Sequence, residues 1–162
     1  MLVRPAAHSE IDALARLWYD GWQDAHAAIL PAALARTRTL ENFAERLSAA
    51  LADVRTVGPM GAPVGFYILR GAELYQFFVA AAARGQGVAQ ALMSDVESRA
   101  GGDGVATLWL ACAIGNERAA RFYEKCGWHR AATMISRLDT IEGPFELVVW
   151  RYEKRLGAAD PG

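Results

Sequence analysis

The sequence has few of the residues that bind metals or cross-link a secreted fold. Its 162 residues include only two cysteines, Cys112 and Cys126, and three histidines that lie far apart in the chain. Two thiols can form at most one disulfide, and their spacing with the histidines matches no zinc site. We therefore expect two reduced thiols and no bound metal.

The chain also lacks a positive charge excess and a long apolar run. Seventeen Lys and Arg against eighteen Asp and Glu give a formal net charge of −1. Without a basic surplus, binding to the phosphate backbone of nucleic acid is disfavoured. No uncharged stretch approaches the roughly 18 residues of a membrane span, and the N-terminus carries no apolar signal run. We predict a cytoplasmic protein without nucleic acid or membrane partners.

Hydrophobic periodicity predicts one α/β domain over residues 1–153 and a polar tail, 154–162, that we expect to be disordered. A short strand opens the domain, and two helices follow, the first capped by Ser9 and the second over Leu40–Leu51. The element order β-α-α-β-β-β-α-β-α-β-β then predicts a mixed central sheet of about seven strands with flanking helices.

One strand–helix–strand unit in this order is expected to be parallel. The fourth strand is predicted over Glu73–Val79 and the fifth, mostly apolar, over Val105–Cys112. The helix between them is long enough to cross over the sheet, so the two strands should run in the same direction with a right-handed connection.

The stretch ARGQGVAQAL, residues 83–92, joins the fourth strand to that helix. Unpaired N–H groups at a helix N-terminus, together with the helix dipole, favour anions. A dinucleotide fingerprint fails because Gln90 occupies its third glycine position, and a triphosphate loop fails because no lysine follows either glycine. Taken alone, the stretch is either an anion site or a bare turn.

Two motifs together resemble the signatures of the GNAT superfamily of N-acetyltransferases. The first is [QR]-x-x-G-x-[GA], matched by Arg84, Gly85, Gln86, Gly87, Val88 and Ala89. The second is N-x-x-A-x-x-[FL]-Y-x-x-x-G-[FW], matched by Asn116, Ala119, Phe122, Tyr123, Gly127 and Trp128. Their order and the element order resemble the GNAT fold over nearly the full chain.

The resemblance implies transfer of an acetyl group from acetyl-CoA to an amine. In the GNAT fold the fourth and fifth strands splay apart and receive the pantetheine arm between them. The expected cofactor contacts are the backbone groups near Phe78, Val79 and Ala80, the pyrophosphate loop Arg84, Gly85, Gln86, Gly87, Val88 and Ala89, and the helix residues Asn116, Phe122 and Tyr123.

The resemblance also suggests two catalytic side chains. Tyr123 is expected to act as a general acid on the departing thiolate. Glu73 lies eleven residues before Arg84 (84 − 73 = 11), where the histone-acetylating branch of the superfamily has its catalytic glutamate. The alternatives are that Glu73 is a solvated edge residue and that another residue or a water is the base.

The acceptor pocket in this superfamily involves the first two helices. Trp18, Tyr19 and Trp22 are the candidates here, although the two tryptophans also fall on the apolar stripe of a core-facing helix. We expect an amine of a small molecule or peptide as acceptor, and a homodimer is compatible with the family. Two other functions remain open: transfer of a longer acyl group, and a catalytically idle CoA-binding sensor module.

Overall fold

The structure is a computed structural model that describes residues 1–157, so most of the predicted tail lies outside the described residues. Within that range the chain forms seven strands and five α-helices. The strands are β1 Val3–Pro5, β2 Val54–Val57, β3 Gly65–Arg70, β4 Glu73–Val79, β5 Thr107–Ala113, β6 His129–Leu138 and β7 Phe145–Arg155. The helices are α1 Ile11–His26, α2 Ala32–Ala35, α3 Leu40–Ala50, α4 Val88–Gly102 and α5 Glu117–Lys125.

The strands form one mixed sheet in the order β1-β2-β3-β4-β5-β7-β6. Among the described strands, β4 and β5 are the parallel pair, and all other neighbours are antiparallel. The predicted fold class, a mixed sheet with flanking helices and a parallel fourth and fifth strand, is confirmed.

Helices cover both faces of the sheet and create two apolar cores. On one face α1 and α3 bury Trp18, Phe43 and Phe66. On the other face α4 and α5 bury Leu92 and Tyr123 against the opposite side chains of the same strands. Because side chains alternate along a strand, β3 contributes Tyr67 to one core and Phe66 and Ile68 to the other, which explains its apolar sequence.

Helix α1 approaches β4 closely at a glycine. A Cβ atom added to Gly21 would lie 2.6 Å from Cδ1 of Phe78, closer than two carbon atoms can pack. A glycine here therefore lets the C-terminal half of α1, which includes Asp24 and His26, lie directly against the end of β4.

Three local predictions need correction. Ser9 does not cap α1, because a 3-10 turn over His8–Glu10 precedes the helix and the buried Glu10 carboxylate accepts the Ala7 N–H at 3.0 Å. The short helix α2 was not predicted. The boundary at residue 153 is too early, because β7 pairs with β5 as far as Arg155, which lies opposite Thr107.

Two further observations concern the described residues only. No helix within residues 1–157 is both long and apolar enough to cross a membrane. The same residues contain no group of three or more His, Cys, Asp or Glu side chains that could hold a metal ion.

Candidate active site

The parallel strands β4 and β5 separate almost as soon as they begin. They are paired at Glu73 and Trp109, where the Trp109 N–H donates to the Ala72 carbonyl at 3.0 Å. Beyond this point no further pair joins them within the described residues. The C-terminal half of β4 therefore faces a gap in the middle of the sheet.

Backbone groups of β4 point into this gap. The Ala80 N–H donates to the Val64 carbonyl at 2.8 Å, on the β3 side of the strand. Since backbone groups alternate in direction along an antiparallel ladder, the N–H and C=O groups of Phe77 and Val79 point the opposite way, toward the gap. They are available to a ligand that pairs with β4 as another strand would.

This alternation changes part of the expected cofactor contacts. Val79 presents its backbone to the gap as predicted from the resemblance, but Ala80 does not. Both Ala80 groups are already bonded, the N–H to Val64 and the carbonyl to the Ala83 N–H at 2.9 Å. Phe78 directs its backbone to β3, and Phe77, which we did not predict, takes its place at the gap.

The glycine loop lies at the end of β4 and starts α4. Gly85 and Gly87 have φ values of +77° and +82°, a region that only glycine adopts readily, and Gly87 is the N-cap of α4. In the described structure the backbone N–H groups of residues 85–89 donate to no other protein group. The loop thus presents several free N–H groups and the positive end of the α4 dipole, as an anion site requires.

Arg84 is held by an acidic side chain of α1. One terminal nitrogen of Arg84 donates to Asp24 at 2.7 Å, and Arg118 of α5 donates to the same carboxylate oxygen at 3.3 Å. These hydrogen bonds, chiefly the one from Arg84, lower the pKa of Asp24. The three side chains connect α1, the glycine loop and α5 across the opening of the gap.

An open cleft of about 650 Å³ runs along this opening. Its walls are β4, the glycine loop, the first turns of α5 and, on the α1 side, Gly21, Asp24 and Ala25. Asn116 forms the N-cap of α5, since its side-chain oxygen accepts the Ala119 N–H at 3.4 Å. The cationic side chains that line the cleft are Arg84, Arg118, Arg121 and Lys125.

Tyr123 lies at the inner end of the cleft. Its ring packs among aromatic side chains, with ring centroids 6.4 Å from Phe77, 5.8 Å from Phe122 and 5.9 Å from Trp128. Burial raises the pKa of the Tyr123 phenol, which keeps it protonated at neutral pH. Its hydroxyl has no hydrogen-bond partner within the described residues and is free to donate to a bound molecule.

A second, smaller cavity of about 70 Å³ lies in the gap itself. Tyr123 borders it on the α5 side, and His26, from the last turn of α1, borders it on the opposite face of the sheet. Cys112 of β5 also borders this cavity, and burial raises the pKa of its thiol to about 12. The structure therefore brings Tyr123 and His26 to the two sides of one small space.

Glu73 does not reach either space. It begins β4 at the closed end of the gap, where its carboxylate accepts a hydrogen bond from Arg70 at 3.3 Å. The residues that line the cleft and the small cavity do not include it. The role of Glu73 as general base therefore stays a prediction that the placement of the side chain does not favour.

The aromatic residues proposed for the acceptor pocket belong to the core. Trp18 is fully buried, with its ring 4.8 Å from that of Phe43, and Trp22 is 6% exposed. Tyr19 is half-buried and packs edge-on against Phe43. None of the three borders the cleft or the small cavity. The alternative interpretation as a core-facing stripe accounts for the tryptophans, because both belong to the core under α1, and Trp18 packs there against Phe43 of α3.

Three further residues that the fold brings to the site were not among the predicted contacts, although Asp24 and His26 lie on the helix that was expected to line the acceptor pocket. Asp24 and Arg118 are 94 residues apart in the chain and meet at the cleft opening. His26 follows Trp22 by one helical turn, and nothing in the local pattern distinguishes it from a surface histidine. Only the close packing of α1 on β4 at Gly21 places these α1 side chains beside the gap.

The residues present fit a CoA thioester on three grounds. The free N–H groups of the loop suit a pyrophosphate, the unpaired edge of β4 suits the amides of a pantetheine arm, and the cationic cleft suits further phosphate. The cleft also ends beside the free hydroxyl of Tyr123. The glycine loop, the β4 edge and Tyr123 follow one another in the same order as the pyrophosphate, the pantetheine arm and the thioester of such a molecule.

The architecture and the cleft together define the class of protein. A seven-stranded mixed sheet that opens between its parallel β4 and β5, with a glycine loop at the start of the following helix, is the GNAT fold. The chain belongs to the acetyltransferase (GNAT) family, whose model matches residues 11–128. The matched segment includes both sequence motifs, so the resemblance found in the sequence is confirmed.

Solved structures share this fold at low identity. A GCN5-related N-acetyltransferase from Rhodopseudomonas palustris is 21% identical with a TM-score of 0.74, covering 96% of this chain and 95% of that one. PaiA N-acetyltransferase from Thermoplasma acidophilum, in complex with coenzyme A, is 16% identical with a TM-score of 0.64, covering 95% and 98%.

YncA from Salmonella typhimurium, solved with acetyl-CoA, is also 16% identical with a TM-score of 0.64, covering 96% of this chain and 94% of that one. Such identities establish the fold alone. No curated protein sequence matches the chain.

Proposed function

We propose that this protein is an acetyl-CoA-dependent N-acetyltransferase that acetylates a primary amine of a small molecule or peptide. Transfer occurs by direct attack of the amine while both substrates are bound. The observation that carries the proposal is the continuity of the site. One cleft leads from the free N–H groups of the glycine loop, along the unpaired edge of β4, to the free hydroxyl of Tyr123.

The donor side of the reaction depends mainly on backbone groups. The N–H groups of residues 85–89 hold the pyrophosphate, and Arg84 and Arg118 add charge once they leave Asp24. The Phe77 and Val79 backbone groups orient the pantetheine arm. Bound acetyl-CoA supplies an acetyl group activated as a thioester. The solved GNAT structures that hold coenzyme A and acetyl-CoA support this cofactor assignment.

At the reacting end, two groups of this chain act on the thioester. The Val79 N–H, which points into the gap, donates to the acetyl oxygen as negative charge develops there. The Tyr123 hydroxyl donates its proton to the sulfur as the C–S bond breaks. The aromatic surroundings of Tyr123 exclude water from this point and hold the phenol in one orientation.

The size of the inner space favours acetyl over longer acyl groups. The cavity between Tyr123 and His26 holds about 70 Å³, room for a two-carbon group and the attacking nitrogen. Phe77 and Phe78 both border it and restrict its extension along β4. A longer chain would have to displace one of these rings.

The test is thiol release from acetyl-CoA by the purified protein with a panel of amines that includes amino acids, peptides, polyamines and aminoglycosides. We expect amine-dependent release, with one acetylated amine formed per thiol as measured by mass spectrometry. Tight acetyl-CoA binding without release for any amine would instead support a CoA-binding sensor module. Faster release with a longer acyl-CoA would support a different acyl donor.

A further inference from the structure

The inner cavity connects the two faces of the sheet and has a polar group on each. Tyr123 borders it from the α5 face, where the cleft for the donor lies. His26 borders it from the α1 face and does not line the donor cleft. An acceptor that enters from the α1 face therefore meets His26 before it meets the thioester.

The His26 ring is fixed and has unused hydrogen-bonding capacity. It packs 5.4 Å from the Trp22 ring and edge-on, 6.4 Å, to the Phe78 ring. Its Nδ1 atom is buried and has no hydrogen-bond partner in the described part of the chain, so a ligand in the cavity can reach only Nε2, which is not buried in this way. Burial among these rings lowers the pKa of His26 to about 4, so the imidazole is neutral and carries one acceptor nitrogen at physiological pH.

The surroundings of His26 carry no negative charge. The titratable groups that border the cavity with it are Tyr75 from β4, Cys112 from β5 and Tyr123 from α5. Burial raises the pKa of the Cys112 thiol to about 12 and also raises that of the Tyr123 phenol, so neither carries a negative charge at neutral pH. No carboxylate borders the cavity among the described residues, and Asp24, one half-turn before His26, is bonded to two arginines. A cationic ammonium group would enter this cavity without a counter-charge, which is unfavourable.

We propose that His26 accepts the hydrogen bond and then the proton of the attacking amine, and that the cavity selects amines that are substantially neutral near pH 7. An α-amino group meets this condition better than a lysine-type alkylamine does. The inference rests on the proposed function. As the N–C bond forms and the C–S bond breaks, the amine proton passes to His26 and the Tyr123 proton passes to the sulfur, which leaves as the CoA thiol. His26 then loses its added proton to water, and the Tyr123 phenolate takes up a proton from water, so both side chains return to their starting states.

The first experiment compares paired acceptors at pH 7: amino-acid amides, which present an α-amino group, and Nα-acetyl-lysine amide, which presents an ε-amino group. Ordinary pKa values of about 8 and about 10.4 give the α-amino group about a 200-fold larger neutral fraction. We expect kcat/KM to favour the α-amino acceptors by about 100-fold and to rise with pH up to the pKa of the acceptor. Equal values for the two classes would overturn the selection for neutral amines.

The second experiment tests His26 itself with His26→Gln and His26→Phe, and uses His8→Gln, an exposed histidine far from the cavity, as matched control. We expect both His26 variants to lose about 100-fold in kcat/KM and to bind acetyl-CoA with unchanged affinity in calorimetry. Turnover within threefold of wild type in both variants would overturn the inference and leave the proposed function intact. No turnover by wild type would overturn the proposed function, and this inference with it.

A readout independent of turnover is the NMR titration of the histidine rings in the free protein. The ring whose signals are missing from His26→Gln is expected to remain neutral down to about pH 5. A ring that protonates above pH 6 would contradict the neutral acceptor on which the inference depends.

Discussion

The two faces of the sheet differ in the chemical groups that they present to a ligand. On the α4–α5 face the cleft is wide, open to water and lined by backbone N–H groups and cationic side chains. The cavity in the gap, which His26 borders from the α1 face, is about a tenth of that volume, and no carboxylate borders it among the described residues. In the proposed reaction the donor is held by charge and hydrogen bonds, whereas the acceptor is selected by the free-energy cost of removing it from water. Changes to either face should affect one substrate and spare the other.

The largest effect is expected where the two faces meet. Tyr123→Phe removes the hydroxyl and keeps the aromatic packing, so we expect kcat to fall by about 10²–10⁴-fold. The affinity for acetyl-CoA should stay within twofold of wild type in calorimetry. Tyr152→Phe is the matched control, since Tyr152 is a neighbouring buried tyrosine whose hydroxyl donates to Glu124 at 2.6 Å. An unchanged kcat in Tyr123→Phe would refute its role as acid.

A substitution far from both faces should change the stability of the fold and leave the binding of donor and acceptor unchanged. The buried Glu10 carboxylate accepts two hydrogen bonds from Arg4, each 2.8 Å long, and these lower its pKa to about 2. The contribution to stability is complete above the ordinary pKa of 4.5 and is lost as the pH falls toward 2.

Glu10→Gln leaves Arg4 without its counter-charge, so we expect the free energy of unfolding at pH 7 to fall by about 2–3 kcal/mol. The difference between the variant and wild type should shrink as the pH is lowered from 5 to 2.5. Urea unfolding of the variant and of wild type at several pH values measures both the loss of stability and its dependence on pH. A difference that does not depend on pH would contradict the ionised pair.

On the donor face, Gly87→Val should weaken acetyl-CoA binding by about 10- to 100-fold. The φ of +82° disfavours a β-branched residue by about 1–3 kcal/mol, and relaxation of the loop moves its N–H groups away from the pyrophosphate. Gly104→Val is the control, because Gly104 has a similar φ of +83° and does not line the cleft. Equal loss of affinity in both variants would show that general strain is responsible.

The smallest effect is expected at the contact between the faces. Asp24→Asn releases Arg84 and Arg118 for phosphate, so we expect acetyl-CoA to bind about two- to fivefold more tightly, as is usual for exposed ion pairs. Asp20→Asn, on the same helix and outside the cleft, should have no effect. Weaker binding in Asp24→Asn would mean that the carboxylate orients the arginines productively.

The difference between the faces also explains what could be predicted from the sequence. Ligand binding on the donor face depends on the backbone conformation of the glycine loop. The two glycines after a strand, Gly85 and Gly87, indicate that conformation in the sequence, because both have a positive φ. The acceptor face depends on which side chains α1 brings to the gap. Its apolar stripe favoured the core for Trp18 over a pocket, and the packed structure buries Trp18 completely.

Local capping was mispredicted for a similar reason. Ser9 has the right type and spacing for a helix N-cap, but the Glu10 side chain occupies this end of the helix. It accepts hydrogen bonds from Arg4, six residues earlier, and from the Gly61 N–H, 51 residues later. The contact of Asp24 with Arg84 spans 60 residues of sequence and leaves no local trace. Such pairs become visible only once the order of strands in the sheet is known.

The central claim is that donor and acceptor are bound at the same time and react directly in the gap between β4 and β5. Initial rates measured at several fixed amine concentrations while acetyl-CoA is varied test this directly. Simultaneous binding predicts double-reciprocal lines that intersect. Parallel lines, together with an acetylated protein detected by mass spectrometry in the absence of amine, would show that the acetyl group passes through the protein and would contradict the account.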